Sequence, residues 1–95
     1  MFNKLKQIKD MRAKAKRMQA ALKDENVEGQ AAWGKVKVKM SGNQEVLEVI
    51  IDPEFLKNED KKKLEDAVKE ATNDAIKKVQ RVMVTKMQKM GELKL

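Results

Sequence analysis

The sequence contains no histidine, no cysteine and no tyrosine. Without these residue types there is no catalytic histidine, no thiolate nucleophile, no disulfide and no zinc site built from nitrogen and sulfur ligands. The single serine, Ser41, has no histidine to activate it, and no spacing of carboxylates marks a catalytic pair. We therefore expect a protein that is not an enzyme and that holds no cofactor or metal.

Aromatic residues and long apolar runs are also scarce. The only aromatic residues are Phe2, Trp33 and Phe55. A chain of 95 residues forms one domain, and it buries only about 60–65% of its unfolded surface, so its core is thin or is completed by a partner. No apolar run approaches the roughly 18 residues of a membrane span, and the basic start is unlike a secretory signal. We expect a single cytoplasmic domain over residues 1–95, with no membrane or small-molecule partner.

Two segments repeat apolar residues at steps of three and four, which predicts amphipathic helices over about residues 2–24 and 59–90. The first carries Ile8, Met11, Ala15, Met18 and Leu22. The second carries Leu64, Val68, Ala71, Ala75, Val79, Val82, Met83, Met87 and Met90. Asn58 is a suitable N-cap for the second helix, and Gly91 is a suitable end.

Between the two helices the period changes to two. Residues 35–40 alternate strictly between basic and apolar side chains, which predicts a strand over about residues 34–41 with one buried face. A turn at Ser41–Asn43 leads to a second, more buried strand over about residues 44–52, and a third short strand lies near residues 27–32. Asp52 then caps a short helical turn. The fold class is α+β: a long helix, a small antiparallel sheet and a second long helix.

The length of the second helix predicts an elongated shape. At 1.5 Å per residue it is roughly 48 Å long, whereas a compact domain of this size is only about 30–35 Å across. We expect it to overhang the sheet as a projecting arm, with the first helix alongside. A thin base bearing such an arm favours a homodimer over an elongated monomer. The expected dimer interface is the second strand, through Val46, Leu47, Val49, Ile50 and Ile51.

The charge of the chain is unevenly distributed. The 22 basic and 15 acidic residues give a net charge of +7. Residues 1–23 carry +7, residues 24–74 carry −5 and residues 75–95 carry +5. If the helices run antiparallel, both basic ends meet at the far end of the arm. Such a surface is typical of a protein that binds a polyanion.

Duplex DNA is the polyanion that we expect. Lysines outnumber arginines 19 to 3, which favours contacts with phosphates over the reading of bases. The alternative is that these lysines only solvate the helices. The candidate DNA-binding residues are Lys6, Lys9, Arg12, Lys16, Arg17, Lys77, Lys78, Arg81 and Lys89. Lys86 falls close to the apolar stripe of the second helix, which indicates that the stripe has opened there.

Three other features have both a structural and a functional interpretation. Trp33 could stack on a base, but a single tryptophan is more often part of a core or a dimer interface, which is what we expect. Lys35, Lys37 and Lys39 could extend a basic surface, but solvating the open side of the sheet is the simpler role. The methionines at the end of the second helix are expected to pack, although such side chains can also form adaptable binding surfaces.

Four stretches together resemble the YbaB/EbfC family of bacterial nucleoid-associated proteins. They are residues 11–19 (MRAKAKRMQ), 34–42 (GKVKVKMSG), 49–56 (VIIDPEFL) and 64–79 (LEDAVKEATNDAIKKV). The resemblance implies a tweezer-like homodimer whose helical arms grip double-stranded DNA at the nucleoid, with roles in DNA organisation or expression. The chain departs from the family where Gln30–Gly34 replaces a glycine-rich segment before the first main strand.

Two other functions fit the same pattern. A coiled-coil chaperone or adaptor would grip protein clients through the methionine-rich arm ends, and its binding would be nearly indifferent to salt. A protein of the membrane surface would use the first helix as a basic amphipathic anchor. That helix offers little apolar bulk for an anchor.

Overall fold

The computed structural model describes residues 2–57 and 60–91. Its elements, in chain order, are α1 (Phe2–Leu22), β1 (Asn26–Ala31), β2 (Val36–Ser41), β3 (Val46–Ile51), α2 (Pro53–Leu56) and α3 (Lys61–Lys89). The strands form an antiparallel sheet in the order β1-β2-β3. The predicted α+β class is therefore confirmed.

The helix boundaries follow the local chemistry of the chain. The Asp52 carboxylate accepts a hydrogen bond from the Glu54 N–H (2.9 Å) and caps α2, as predicted. The expected cap of α3, Asn58, lies outside the described residues, and Asp60 caps this helix instead by accepting from the Lys63 N–H (3.0 Å). Gly91 follows the end of α3 with a φ of +70°, a conformation that glycine adopts without strain.

The core lies between one face of the sheet and α3. The alternation in β2 turns Val36, Val38 and Met40 inward, where at most 2% of each is exposed. The helix meets them with residues four apart, one helical turn, which places them on a single face. These residues are Ala67, Ala71, Ala75 and Val79. Since most of them are small, the helix backbone can lie close to the sheet.

Gly29 marks the point of closest approach. A Cβ atom at this position would lie 2.1 Å from the Ala71 carbonyl oxygen and 2.4 Å from the Ala75 nitrogen. Two polar contacts flank the glycine: the Gln30 N–H donates to the Asp74 carboxylate (3.0 Å) and the Lys78 ammonium donates to the Glu28 carbonyl (2.7 Å). The strand and the helix are therefore fixed to each other by shape and by hydrogen bonds.

β3 was predicted to be the more buried strand, and that prediction is wrong for the single chain. Four of its apolar side chains are between 37% and 54% exposed, and Ile51 is half-buried. The exposed four are Val46, Leu47, Val49 and Ile50. The reason is topological: β3 is at the edge of the sheet, and α3 packs on β1 and β2.

The first helix does not lie alongside the second, contrary to expectation. Every side chain from Asn3 to Arg17 is exposed, including the apolar Ile8 and Met11, and only the last residues of α1 approach the rest of the chain. The molecule consequently extends 63 Å in its longest dimension, with cross-dimensions of 24 and 21 Å. A sheet of six-residue strands is only about 20 Å long, so α1 is a projecting arm of about 32 Å.

The base of this arm is held by several contacts. Leu22 is buried, the Asn43 side chain donates to the Gln19 carbonyl (3.2 Å), and the Gly42 N–H donates to the Glu25 carbonyl (2.7 Å). Lys86 of α3 pairs with Glu25 (2.9 Å), which accounts for a lysine close to the apolar stripe. Within one chain the end of α3 therefore reaches the base of the arm and not its distal end, so the predicted meeting of the two basic termini is wrong.

Candidate nucleic-acid interface

The basic residues of α1 form a surface along the projecting arm. The helix carries seven basic residues and a single acid, Asp10. The five candidates on it, Lys6, Lys9, Arg12, Lys16 and Arg17, are all exposed. Among the parts of the chain that the structure describes, the first four have no ion-pair or hydrogen-bond partner. Their charge is therefore available to an external anion.

A second basic row follows α3. Lys77, Arg81 and Lys89 lie at multiples of four residues and are all exposed, and Thr85 fills the remaining position. The row is about 18 Å long at 1.5 Å per residue. Shallow grooves run beside it, one lined by Lys77, Gln80, Arg81, Val84 and Thr85, another by residues that include Arg81 and Lys89. The Thr85 hydroxyl donates to the Arg81 carbonyl oxygen (3.0 Å), so its proton is used within the helix.

Lys78 differs from the other candidates. Its ammonium donates to the Glu28 carbonyl and pairs with Asp74 at 3.2 Å, and its side chain is 40% exposed. The Gln30 N–H and then Lys78 hold the pKa of Asp74 below its ordinary value. The structure thus gives Lys78 a role in joining α3 to β1.

The two basic surfaces occupy different parts of the molecule. The surface of α1 lies along the arm, and the row on α3 leads from beside the sheet towards the base of the arm. Duplex DNA presents one phosphate per about 1.7 Å of axis. An arm about 32 Å long matches nearly one turn of a duplex, which repeats every 34–36 Å or so. The arrangement suits phosphate neutralisation along an extended path.

Trp33 is outside the core, which corrects the expectation that it packs there. The residue is fully exposed, at 102% of its reference area, on the turn between β1 and β2. The turn begins directly after Ala31, so Trp33 lies beyond the end of β1. The sequence carried no signal of this, because an apolar residue between Ala32 and Gly34 is equally compatible with burial.

Residues 2–57 and 60–91 contain no group of three or more acidic, histidine or cysteine side chains placed to hold a metal ion. In the same residues, no helix is both long and apolar enough to cross a membrane.

A small α+β protein with a basic helical arm is therefore the class that the fold and the surface define. The model of the YbaB/EbfC DNA-binding family matches residues 1–93, and the chain belongs to that family. A nucleoid-associated protein of Beijerinckia indica is 39% identical over 90 residues, which cover 95% of this chain and 89% of that protein. Nucleoid-associated protein RPA0616 of Rhodopseudomonas palustris is 40% identical over 84 residues, covering 88% and 79%.

The fold also matches a solved structure. The crystal structure of uncharacterized protein HP0035 from Helicobacter pylori superposes with a TM-score of 0.70 over 87% of this chain and 96% of that chain. At 24% sequence identity, this likeness shows the fold alone.

Proposed function

We propose that this protein binds duplex DNA through its basic helical surfaces, with little sequence preference, and organises DNA in the nucleoid, where it also modulates expression. The phosphates of the DNA are contacted by basic side chains. On α1 these contacts are made by Lys6, Lys9, Arg12, Lys16 and Arg17. On α3 they are made by Lys77, Arg81 and Lys89, whereas Lys78 mainly supports the fold. Each contact neutralises a phosphate and releases a counterion.

The exposed arm is the observation that carries this proposal. A helix with a net charge of +6 projects from the sheet, and its described side chains up to Arg17 are all exposed. A helix that carries many basic residues is unfavourable alone because their like charges repel. A bound polyanion relieves that repulsion. Because the chain belongs to a DNA-binding family, DNA is the polyanion that we expect it to bind.

We further propose that the functional unit is a homodimer that joins through β3. Within the described residues, one edge of this strand pairs with no other strand. The strand also has four exposed apolar side chains, Val46, Leu47, Val49 and Ile50. Proteins seldom leave such an edge uncovered, because it templates pairing with other chains. Pairing of two copies covers the strand and gives the assembly two arms.

A salt series with a random duplex of about 30 base pairs tests DNA binding. Six phosphate contacts per dimer would give a log–log salt slope of about −5, from roughly 0.9 per contact. Replacing Lys9, Lys16 and Arg17 with Glu should weaken binding and flatten this slope. The matched control replaces Lys61, Lys62 and Lys63 with Glu: both triple variants change the net charge from +7 to +1.

The control separates site from net charge, because Lys61–Lys63 lie at the start of α3 and two of them already pair with acids one turn further on. Equal losses for the two triple variants would show that only overall charge matters and would reject the arm as the site. A slope shallower than about −2 in the parent protein would reject phosphate-dominated binding. Salt-indifferent capture of unfolded clients would instead support a chaperone.

A further inference from the structure

The turn that carries Trp33 is strained. Ala32, Trp33 and Gly34 have φ values of +53°, +60° and +81°, so three consecutive residues adopt the left-handed conformation. Two backbone hydrogen bonds of 3.1 Å fix the turn, from the Gly34 N–H to the Ala31 carbonyl and from the Lys35 N–H to the Ala32 carbonyl. Glycine or asparagine is usual at such positions. Here a bulky indole is held in solvent on a rigid support.

The turn adjoins the open face of the sheet, which α3 does not cover. Lys35, Lys37 and Lys39 follow each other at every second residue, about 6.7 Å apart. A shallow groove begins at Gly34, next to the tryptophan, and is lined by these three lysines, Glu28 and Ile50, among others. Trp33 precedes Gly34 in the chain, so it adjoins one end of a groove that carries three lysines and two carboxylates, Glu28 and Asp52.

Two of these lysines have acidic neighbours. Lys37 lies 3.8 Å from Glu28, and Lys39 lies 3.5 Å from Glu48. Both pairs are at least one-third exposed, and such surface pairs contribute little and exchange readily. Lys35 is exposed and has no partner in the described parts of the chain.

We propose that this groove and Trp33 form a second nucleic-acid site, which takes a single strand of DNA or RNA. Trp33 stacks on an unpaired base, and Lys35, Lys37 and Lys39 neutralise successive phosphates. Sequence-tolerant sites for single strands combine these two features, an aromatic platform and a basic groove. A base in a duplex has both faces covered, so the stacking selects single strands.

The lysine row argues for nucleic acid over a protein partner. Protein–protein interfaces are enriched in tryptophan but depleted in lysine. The proposed single-strand site and the basic arm are formed by different structural elements: the site lies on β2 and the β1–β2 turn, whereas the arm is α1. Its binding therefore does not require the duplex contacts proposed for α1 and α3.

Fluorescence provides a direct test, because Trp33 is the only tryptophan and the chain has no tyrosine. The full-length protein is titrated with ten-nucleotide oligo(dT) and oligo(U), with a ten-base-pair duplex, and with heparin, an anionic polymer that has no bases. We expect both single strands to quench the emission and the duplex and heparin to leave it nearly unchanged. A stronger response to one single strand would show which of the two strands the site prefers, through the 2′ position of the sugar or through the methyl group of thymine.

Substitutions then measure the contribution of each group. Because Trp33→Gly and Trp33→Phe remove the only tryptophan, their binding is measured by the anisotropy of a dye-labelled oligo(dT). Trp33→Gly retains a residue suited to the positive φ, so the turn folds, and it should weaken single-strand binding by about 5- to 150-fold. Trp33→Phe should restore part of the affinity because it restores a stacking face. Lys35→Glu should reduce the salt slope for the single strand by about 0.7 or more, whereas the exposed helix residue Lys69→Glu is the matched control.

Three outcomes would overturn the proposal. They are equal quenching by duplex and single strands, unchanged single-strand affinity in Trp33→Gly, and shielding of Trp33 from acrylamide in the protein alone, which would place it between copies of the chain. Loss of duplex binding in the Lys9, Lys16 and Arg17 variant, with quenching by oligo(dT) retained, would leave this site intact. The two proposals can thus fail separately.

Discussion

Replacing Gly29 with Ala should be one of the most damaging single-methyl changes in this protein. The new Cβ would lie 2.1 Å from the Ala71 carbonyl oxygen, whereas ordinary contacts begin at 3.4 Å. The oxygen belongs to the helix backbone and the position of the Cβ is fixed by the strand backbone, so rotation of a side chain cannot relieve the contact. The strand and the helix must separate locally by more than an ångström.

The cost follows from this separation. Overpacking of a tight core costs about 2 kcal/mol. The two flanking hydrogen bonds, from Gln30 to Asp74 and from Lys78 to Glu28, would lengthen beyond bonding distance, at about 1 kcal/mol each for partly exposed groups. Alanine also lowers the conformational entropy of the unfolded chain, which offsets at most about 1 kcal/mol of this loss in stability. The expected loss is therefore about 3 kcal/mol, out of the roughly 5–14 kcal/mol typical of a domain this size.

Urea unfolding followed by far-ultraviolet circular dichroism measures this loss. With a slope of about 1 kcal/mol per molar urea, the midpoint should fall by about 3 M. Gly91→Ala is the matched control, since no atom lies within 4 Å of the added methyl and only its φ of +70° opposes the change. A Gly29→Ala midpoint within about 0.5 M of the parent would refute the close-approach argument.

Further expectations concern stability, pH, assembly and function. Trp33→Gly should raise the free energy of unfolding by about 1 kcal/mol, because glycine removes left-handed strain; an unchanged urea midpoint would contradict this. The pKa of Asp74 is lower in the folded state than in the unfolded state, so the ionised carboxylate stabilises the fold at pH values above its ordinary pKa. This stabilisation is lost as the pH falls through the pKa of the folded state. Asp74→Asn should therefore weaken the dependence of the free energy of unfolding on pH in the acid range. Val49→Lys should convert a dimer of 21.8 kDa (twice 10.9 kDa) to monomer in light scattering, and a persistent dimer would exclude β3 as the interface. Lys78→Ala should lower stability while Lys77→Ala should lower DNA affinity, and the reverse result would contradict the assignment of Lys78 to the fold.

The order and type of the elements were readable from the sequence, because each depends on local periodicity. Strict alternation at Val36–Ser41 and the apolar residues four apart in α3 are properties of short windows. The edge position of β3 was not readable, since its run of apolar residues is the same whether a helix or a second chain covers it. Only the strand register and the extent of α3 show that no described part of the same chain covers β3.

The candidate site divides in the same way. Exposure of Lys9 and Lys16 follows from the helical wheel, so the basic flank of α1 could be predicted. The internal role of Lys78 depends on β1 passing beside α3, a contact 50 residues apart in the chain. Whether α1 packs or projects depends on the short connection at residues 23–25, whose direction no periodicity encodes.

The contact of Gly42 with the C-terminal end of α1 controls the direction in which the arm projects. A Cβ at Gly42 would lie 2.5 Å from the Leu22 carbonyl oxygen and 3.1 Å from the Glu25 Cβ, so the turn between β2 and β3 supports the foot of the helix directly. A tilt of about 10° there would displace the distal end of a 32 Å helix by about 5–6 Å. That displacement is nearly the width of a minor groove, about 6 Å. Gly42, in the turn between β2 and β3, therefore helps to set the direction of α1. A substitution that shifts this contact would move the basic residues of α1 without replacing any of them.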